Sequence, residues 1–181
     1  LYAGRPAFTI HKYIYRLQTD KRGFSVFRLR ANKSRNTVFI VDEASMIHDD
    51  RSEWSGSVLA DLLEFVNSGY QCQLLLVGDT AQLPPVGSEE SPALDADYLA
   101  RLYGLEHFGV ELKEVMRQEQ DSRLLENATN LRNIQLDFPF DQPRFKLGPD
   151  VVRLQEGFEV EDALNRALSE VGKEELCIIV R

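Results

Sequence analysis

Two adjacent acids, placed directly after a short apolar run, are the residues best suited by type and spacing to do chemistry. Residues 38–41 read VFIV, and Asp42 and Glu43 follow at once. Such a run predicts a strand buried on both faces of a parallel sheet, and ligands bind beyond the carboxyl ends of such strands. One carboxylate could hold Mg²⁺ on phosphate oxygens, and the other could deprotonate an attacking water. The alternative is a strand that simply runs into a polar turn.

A second apolar run has the same design. Residues 74–77 read LLLV, and they are followed by Gly78, which permits a tight turn, and by Asp79. Parallel neighbouring strands would bring both acidic tips to one site. Because neighbouring strands lie about 4.8 Å apart, we expect the carboxylates of Asp42 and Asp79 to lie within roughly 10 Å of each other.

The segment after Asp79 predicts a stiff loop. Residues 80–86 read TAQLPPV, and both Pro84 and Pro85 lack an N–H donor and have a fixed φ. A stiff loop could hold Gln82 where its side chain contacts a phosphate or a water. The alternative is a surface connection that the prolines merely rigidify.

These segments together resemble a known family. VDEAS at residues 41–45 resembles motif II, the Walker B arrangement of P-loop NTPases, and VGDTAQLPPV at residues 77–86 resembles motif III of superfamily 1 DNA helicases. Within that superfamily the RecD-like group is the most similar. Its upstream Thr-Ile-His motif is matched at residues 9–11, and its downstream Arg-Gln pair at residues 117–118. Four motifs in the family's order are far more specific than any one of them.

The resemblance implies ATP and Mg²⁺ as cofactors and assigns a role to each motif residue. Asp42 would bind Mg²⁺, Glu43 would activate water, and Asp79 would support the metal shell or the motif III loop. Gln82 would sense the γ-phosphate, and Arg117 would stabilise negative charge developing on it.

The resemblance also implies single-stranded DNA as a partner. Thr9 would contact a phosphate, His11 a phosphate or a base, and Lys12 would add a charge. Without the downstream motifs, Thr9 would be read as the cap of a short amphipathic helix within residues 7–17, with Tyr13, Ile14 and Leu17 on its apolar side and His11 partly exposed.

The fold class that the resemblance implies is α/β, a RecA-like P-loop NTPase fold with a mostly parallel sheet flanked by helices. No GxxxxGK[ST] segment occurs in the sequence, so we expect an incomplete domain that lacks its P-loop strand. Residues 1–135 would be the first motor domain. Residues 136–181 would be a linker, rich in proline from 137 to 149, and the start of a second RecA-like domain. The chain would then be an internal part of a helicase, inactive by itself.

The amino-acid composition limits which binding partners and which cellular compartment we expect. The net charge of −8 argues against a free-standing DNA clamp, although a local groove could still bind DNA. One basic stretch, from Arg28 to Arg35, could face nucleic acid or form a solvated loop. Only Cys72 and Cys177 occur, and buried reduced thiols favour a cytoplasmic protein. No apolar run is long enough to span a membrane.

Hydrophobic periodicity predicts the remaining elements. Helices are expected over residues 58–67, 91–103, 122–134 and 161–171, and strands over residues 24–30, 151–154 and 175–180. Residues 108–118 are expected to form a strand or an extended turn that delivers Arg117. The polar stretch 47–57 is expected to be a mobile loop over the site, and its His48-Asp49-Asp50 triplet lacks the partners of a metal site.

Three functions follow from these observations. The first is an ATP-dependent DNA helicase or translocase of the RecD-like group, with 5′-to-3′ polarity implied by the resemblance alone. Its partners would include the remaining helicase domains and potential repair or recombination subunits. The second is a P-loop ATPase switch that does not unwind DNA, and the third is a degenerate, non-enzymatic binding module. DNA-stimulated ATPase activity separates the first two, and a P-loop in the full gene would dismiss the third.

Overall fold

A computed structural model describes residues 6–19, 23–50, 56–88, 90–112, 122–136 and 142–179. The chain divides into two compact units, Leu1–Leu112 and Lys113–Arg181. The proposed domains 1–135 and 136–181 stay a prediction. None of the described helices is both long and apolar enough to cross a lipid bilayer.

The first unit combines two small sheets with three helices. Its elements are α1 (Ile10–Ile14), β1 (Tyr15–Thr19), β2 (Ser25–Leu29), β3 (Val38–Val41), α2 (Val58–Asn67), β4 (Gln73–Leu76) and α3 (Ala96–Tyr103). Strands β3 and β4 are parallel neighbours, which confirms the pairing expected of the two acid-tipped runs. Strands β1 and β2 form a separate antiparallel ribbon. The class is therefore α/β with a small parallel sheet, and half of the described strands are antiparallel.

Helix α2 supplies the core on which the parallel pair rests. Ser57 caps its N-terminus by accepting a hydrogen bond from Ala60 N at 2.9 Å. The predicted apolar face is confirmed, since all four of its residues are buried: Leu59, Leu62, Leu63 and Val66. Phe39 and Val41 of β3 pack against this cluster, as do Leu74 and Leu76 of β4. The core thus covers one face of the two parallel strands.

The expectation that these strands are buried on both faces is wrong. Alternate side chains lie on the open face: Val38 is 54% exposed, Ile40 68% and Leu75 48%. A strand's side chains alternate between the two faces, and α2 covers only one of them. A run of consecutive apolar residues therefore did not mean that every residue of the run is buried.

The short helix expected after Thr9 ends before Leu17, which its apolar pattern had included. Thr9 does cap α1, and its Oγ1 accepts from Lys12 N at 3.4 Å. The helix nevertheless ends at Ile14, and Tyr15 begins strand β1. Leu17 is 61% exposed and pairs with Phe27 across the ribbon, because strand pairing prevails there over the helical period.

Two further expectations in this unit change at their boundaries. Ser91 and Pro92 do not start a helix; α3 begins at Ala96, and Asp95 caps it by accepting from Tyr98 N at 2.9 Å. Its predicted end at Gly104 is confirmed, with φ 63. The start of the polar stretch 47–57 is packed against the protein. Ile47 is 5% exposed, and Asp49 is hydrogen-bonded to α3. Residues 51–55 lie outside the described part.

The second unit contains α4 (Arg123–Leu136) and α5 (Gly157–Glu170). The helix expected over residues 122–134 forms, and Ser122 caps it by accepting from Leu125 N at 3.2 Å. Helix α5 begins four residues earlier than predicted, because Glu156 and Glu159 form a capping box there.

The strands expected in this unit do not form in its described residues. Val151 makes only an isolated bridge to Gly148, and residues 176–179 have no regular structure. A strand needs a neighbour to satisfy its backbone, and the described residues offer these segments none. Cys72 and Cys177 are both free, but Cys177 is exposed, contrary to the expected burial.

Candidate active site

The two acidic tips lie side by side at one edge of the parallel pair. The register pairs Val41 with Leu76. Beyond it, Val77 N donates to Val41 O at 2.8 Å and Ala44 N donates to Val77 O at 2.9 Å. The pairing thus continues past the acid of β3 and fixes Asp42 and Asp79 at the same end of the sheet.

Asp42 and Glu43 are both exposed. The Asp42 carboxylate accepts a hydrogen bond from the backbone N–H of the next residue, Glu43, at 3.0 Å. Glu43 itself has φ 54 and ψ 40, a left-handed conformation that costs a non-glycine residue roughly 1–3 kcal/mol. A single turn of 3₁₀-helix, Ala44–Met46, follows, and its first two residues are 0% exposed. This buried turn holds the strained Glu43 at the surface.

The loop after β4 is held by hydrogen bonds to Asp79, and the stiffness expected from its prolines stays a prediction. Asp79 Oδ1 accepts from Ala81 N at 3.0 Å, and Asp79 O accepts from Gln82 N at 3.1 Å. Pro85 is buried, whereas the Gln82 side chain is exposed. The loop therefore presents Gln82 to solvent on a fixed backbone beside the two tips.

A cavity of about 270 Å³ adjoins this loop. Thr80, Pro84, Leu94 and Asp95 are among the residues that line it. The carboxylates of Asp42 and Glu43 do not line it. These two carboxylates lie on the open surface, where a phosphate ligand can reach them.

The carboxylates fit Mg²⁺ held in the manner of nucleotide enzymes. Within the described ranges no cluster of three or more His, Cys, Asp or Glu could hold a metal ion. Mg²⁺, however, usually keeps several waters and binds one or two carboxylates together with substrate phosphates. Asp42, at an exposed strand tip beside Asp79, matches that donor set.

The residues expected to contact DNA lie at the cap and in the first turn of α1. Thr9, His11 and Lys12 are all exposed. The Lys12 ammonium lies 5.9 Å from the centre of the Phe8 ring, and the rings of His11 and Tyr15 are 5.4 Å apart. Their contact with DNA stays a prediction, as do the roles assigned to the carboxylates and Gln82. Arg117 and Gln118 lie outside the described residues.

The sequence did not predict the contacts of two residues that shape the site, Asp49 and Gly78. Asp49 accepts hydrogen bonds from Ser57, from Tyr98 at 2.5 Å and from Tyr103 at 2.7 Å, and so ties the segment after the motif to α3. For Gly78 the sequence predicted only a tight turn. A Cβ at this position would lie 2.9 Å from Ser45 N and 3.1 Å from Ala44 N. No sequence pattern signals either contact, because both join segments distant in the chain.

Replacing Gly78 with alanine should separate the two acidic tips. The added methyl would press on the backbone of Ala44 and Ser45, which cannot yield as a flexible side chain would. We expect a loss of about 1–3 kcal/mol in unfolding free energy and, in the full-length protein, a lower rate of the ATP turnover that the resemblance implies. Urea denaturation and steady-state turnover measure the two effects. Gly87→Ala is not a suitable control, since its φ of 84 adds strain, whereas Gly109→Ala, with open space around it, should leave both unchanged.

One family model matches the chain. It is described as an AAA domain and covers residues 2–138. No curated protein matches the chain, and no solved structure does.

Proposed function

The chain belongs to the AAA domain family of P-loop nucleotide hydrolases, and we propose that it forms part of an ATP-dependent DNA helicase motor of the RecD-like group. The observation that carries this proposal is the parallel pair β3–β4, whose adjacent tips bear Asp42, Glu43 and Asp79. Motif residues at 9–11 and 117–118, in the order of that group, support it. Single-stranded DNA is the proposed track, and movement is proposed to run 5′ to 3′.

In this proposal each residue of the site has a distinct task. Asp42 holds Mg²⁺, and the ion, when bound with ATP, neutralises charge on the phosphates. Glu43 takes the proton of the attacking water. Gln82, on its fixed loop, detects whether the terminal phosphate is present, and Asp79 braces that loop through its bond to Ala81.

Residues elsewhere complete the proposed cycle. Arg117 stabilises charge on the transferring phosphoryl group, and Thr9, His11 and Lys12 hold the DNA strand. Hydrolysis is proposed for the full-length protein, since the 181 residues contain no GxxxxGK[ST] segment to cradle the phosphates. The other helicase domains and potential repair or recombination subunits are the proposed partners, and a cytoplasmic location remains a prediction.

The deciding experiment measures ATP turnover by the full-length protein with and without a single-stranded oligonucleotide. We expect magnesium-dependent turnover that rises on adding DNA, together with separation of a duplex that carries a 5′ overhang. If the rate of ATP turnover is the same with and without DNA, the result would favour the ATPase switch over the helicase. No magnesium-dependent turnover at all would favour the non-enzymatic binding module.

A further inference from the structure

Three aromatic rings from three different elements of the first unit pack against one another. The ring of Tyr13 on α1 lies 5.9 Å, between ring centres, from Phe39 of β3 and 5.9 Å from Phe65 of α2. Phe39 and Phe65 lie 5.8 Å apart, which closes the triangle. All three pairs meet edge to face, an arrangement that aromatic rings prefer. We call these three residues the aromatic cluster.

Phe65 is the fixed member of the aromatic cluster. It is 4% exposed and belongs to α2, the helix that supplies the core. Tyr13 is 40% exposed, and Phe39 is half-buried on a strand that α2 covers on one face only. Packed rings cannot interpenetrate, and Phe65 cannot retreat into a close-packed core. A shift of Tyr13 is therefore passed on to Phe39.

Each end of this contact leads to a part of the proposed motor. The residues proposed to contact DNA lie at the cap or in the first turn of the same short helix as Tyr13. Tyr13 N donates to Thr9 O at 3.1 Å, and the ring of Phe8 lies 5.8 Å from the ring of Tyr13. At the other end, Phe39 precedes Glu43 by four residues, along β3 and its acidic tip. The aromatic cluster thus joins α1 to the strand that carries the acids.

Glu43 is the residue whose placement such a shift would change most. Its left-handed conformation, with φ 54 and ψ 40, persists only because the structure on both sides of it fixes the backbone. On one side this is the buried turn Ala44–Met46, and on the other it is β3. A general base must lie within about 2.6–3.2 Å of the group whose proton it takes, so a small movement of β3 decides whether Glu43 can act.

We propose that Tyr13 is a positioning residue that acts through Phe39 and couples a nucleic-acid strand bound on α1 to the placement of Glu43. The inference rests on the proposed function, from which it takes both the strand on α1 and the role of Glu43. A bound strand favours the arrangement in which α1 is packed on the aromatic cluster and Glu43 is aligned with the water. Because coupling between two binding sites is reciprocal, bound nucleotide must also change the affinity for the strand.

The experiment changes the ring at position 13 in the full-length protein. Tyr13→Leu removes the ring but keeps an apolar side chain, and Tyr13→Phe keeps the ring. Tyr70→Leu is the matched control, since it removes an exposed tyrosine ring that lies against Arg35. Two ratios are measured. The first is ATP turnover with and without a single-stranded oligonucleotide, and the second is the affinity for that oligonucleotide with and without Mg²⁺ and a non-hydrolysable ATP analogue.

Both ratios should fall about 2- to 10-fold in Tyr13→Leu, the factor that corresponds to the loss of one aromatic pair. They should keep the wild-type value in Tyr13→Phe and in Tyr70→Leu. A purely structural effect would lower turnover with and without DNA alike and would leave both ratios unchanged. Phe39→Leu should lower the same ratios, and combining it with Tyr13→Leu should add little, because both substitutions remove the same contact.

Three results would overturn the inference, and they differ in scope. If DNA stimulates the wild type and Tyr13→Leu equally, the aromatic cluster does not couple the two sites, and the helicase proposal stands. If Tyr13→Phe loses as much as Tyr13→Leu, the hydroxyl and not the ring contact is responsible, and the inference fails alone. If turnover by the wild type is the same with and without DNA, the inference and the helicase proposal fail together.

Discussion

Replacing Glu43 with glutamine should lower ATP turnover by the full-length protein about 10²–10⁴-fold, the usual contribution of a general base. Glutamine keeps the size of the side chain and one acceptor oxygen but cannot take a proton from water. Glu43 is exposed and its carboxylate lies beyond the strand tip on a buried turn, so the substitution should not disturb packing. Nucleotide affinity in the presence of Mg²⁺ should survive, and single-stranded DNA should still bind the ATP-loaded protein.

Asp42→Asn is the matched comparison for this prediction. Its side chain lies at the same strand tip, but we assign it to Mg²⁺, so the loss should appear in magnesium-dependent nucleotide binding. Equilibrium binding of a labelled nucleotide and single-turnover hydrolysis, measured for both variants, separate the two roles. Normal hydrolysis by Glu43→Gln, or a loss of binding equal to that of Asp42→Asn, would show that the division of labour is wrong.

The sequence predicted most reliably those features that depend on residues close together in the chain. The helix Val58–Asn67 follows from a cap at Ser57 and an apolar face that recurs with the helical period. The parallel pairing of residues 38–41 and 73–76 joins distant segments, and it was predictable because both apolar runs lead into an acid. The helix and each strand by itself are signalled by neighbouring residues, and the tertiary structure agrees with that signal.

What the sequence did not predict depends on contacts between distant segments. Leu17 has the spacing of a helical core residue, yet it pairs with Phe27, ten residues away, in the ribbon. Ile40 is apolar on a strand that only one helix covers, so it is exposed. The partners of Asp49 lie up to 54 residues away along the chain. No window of the sequence contains such pairs, so only the folded structure reveals them.

Replacing Asp49 with alanine should destabilise the protein by about 3–5 kcal/mol. Its carboxylate accepts hydrogen bonds from the hydroxyls of Ser57, Tyr98 and Tyr103. A hydrogen bond to a charged group contributes about 1.5–3 kcal/mol, and hydroxyls left unpaired add their own desolvation penalty. Urea denaturation of the full-length protein measures the loss. Asp50→Ala, at the exposed neighbouring position, is the control and should stay within about 0.5 kcal/mol of the wild type.

The pH dependence of that loss tests its cause. The hydrogen bond to Asp49, followed by burial, raises the pKa of Tyr98 to about 12. Burial, followed by the bond to Asp49, raises the pKa of Tyr103 to about 12 as well. In the unfolded chain both pKa values lie near 10.0. Above that pH the unfolded chain loses protons that the folded protein retains, so stability falls as pH rises.

The stabilisation by these tyrosines should therefore be complete below about pH 10 and should disappear as the pH approaches about 12. The difference in unfolding free energy between wild type and Asp49→Ala should be constant between about pH 7 and pH 10 and shrink across that window. Burial and a bond to Asp61 also raise the pKa of Tyr15, but this contribution is common to both proteins and cancels in the difference. A difference that stays constant up to pH 12 would mean that the hydroxyls of Tyr98 and Tyr103 do not depend on Asp49.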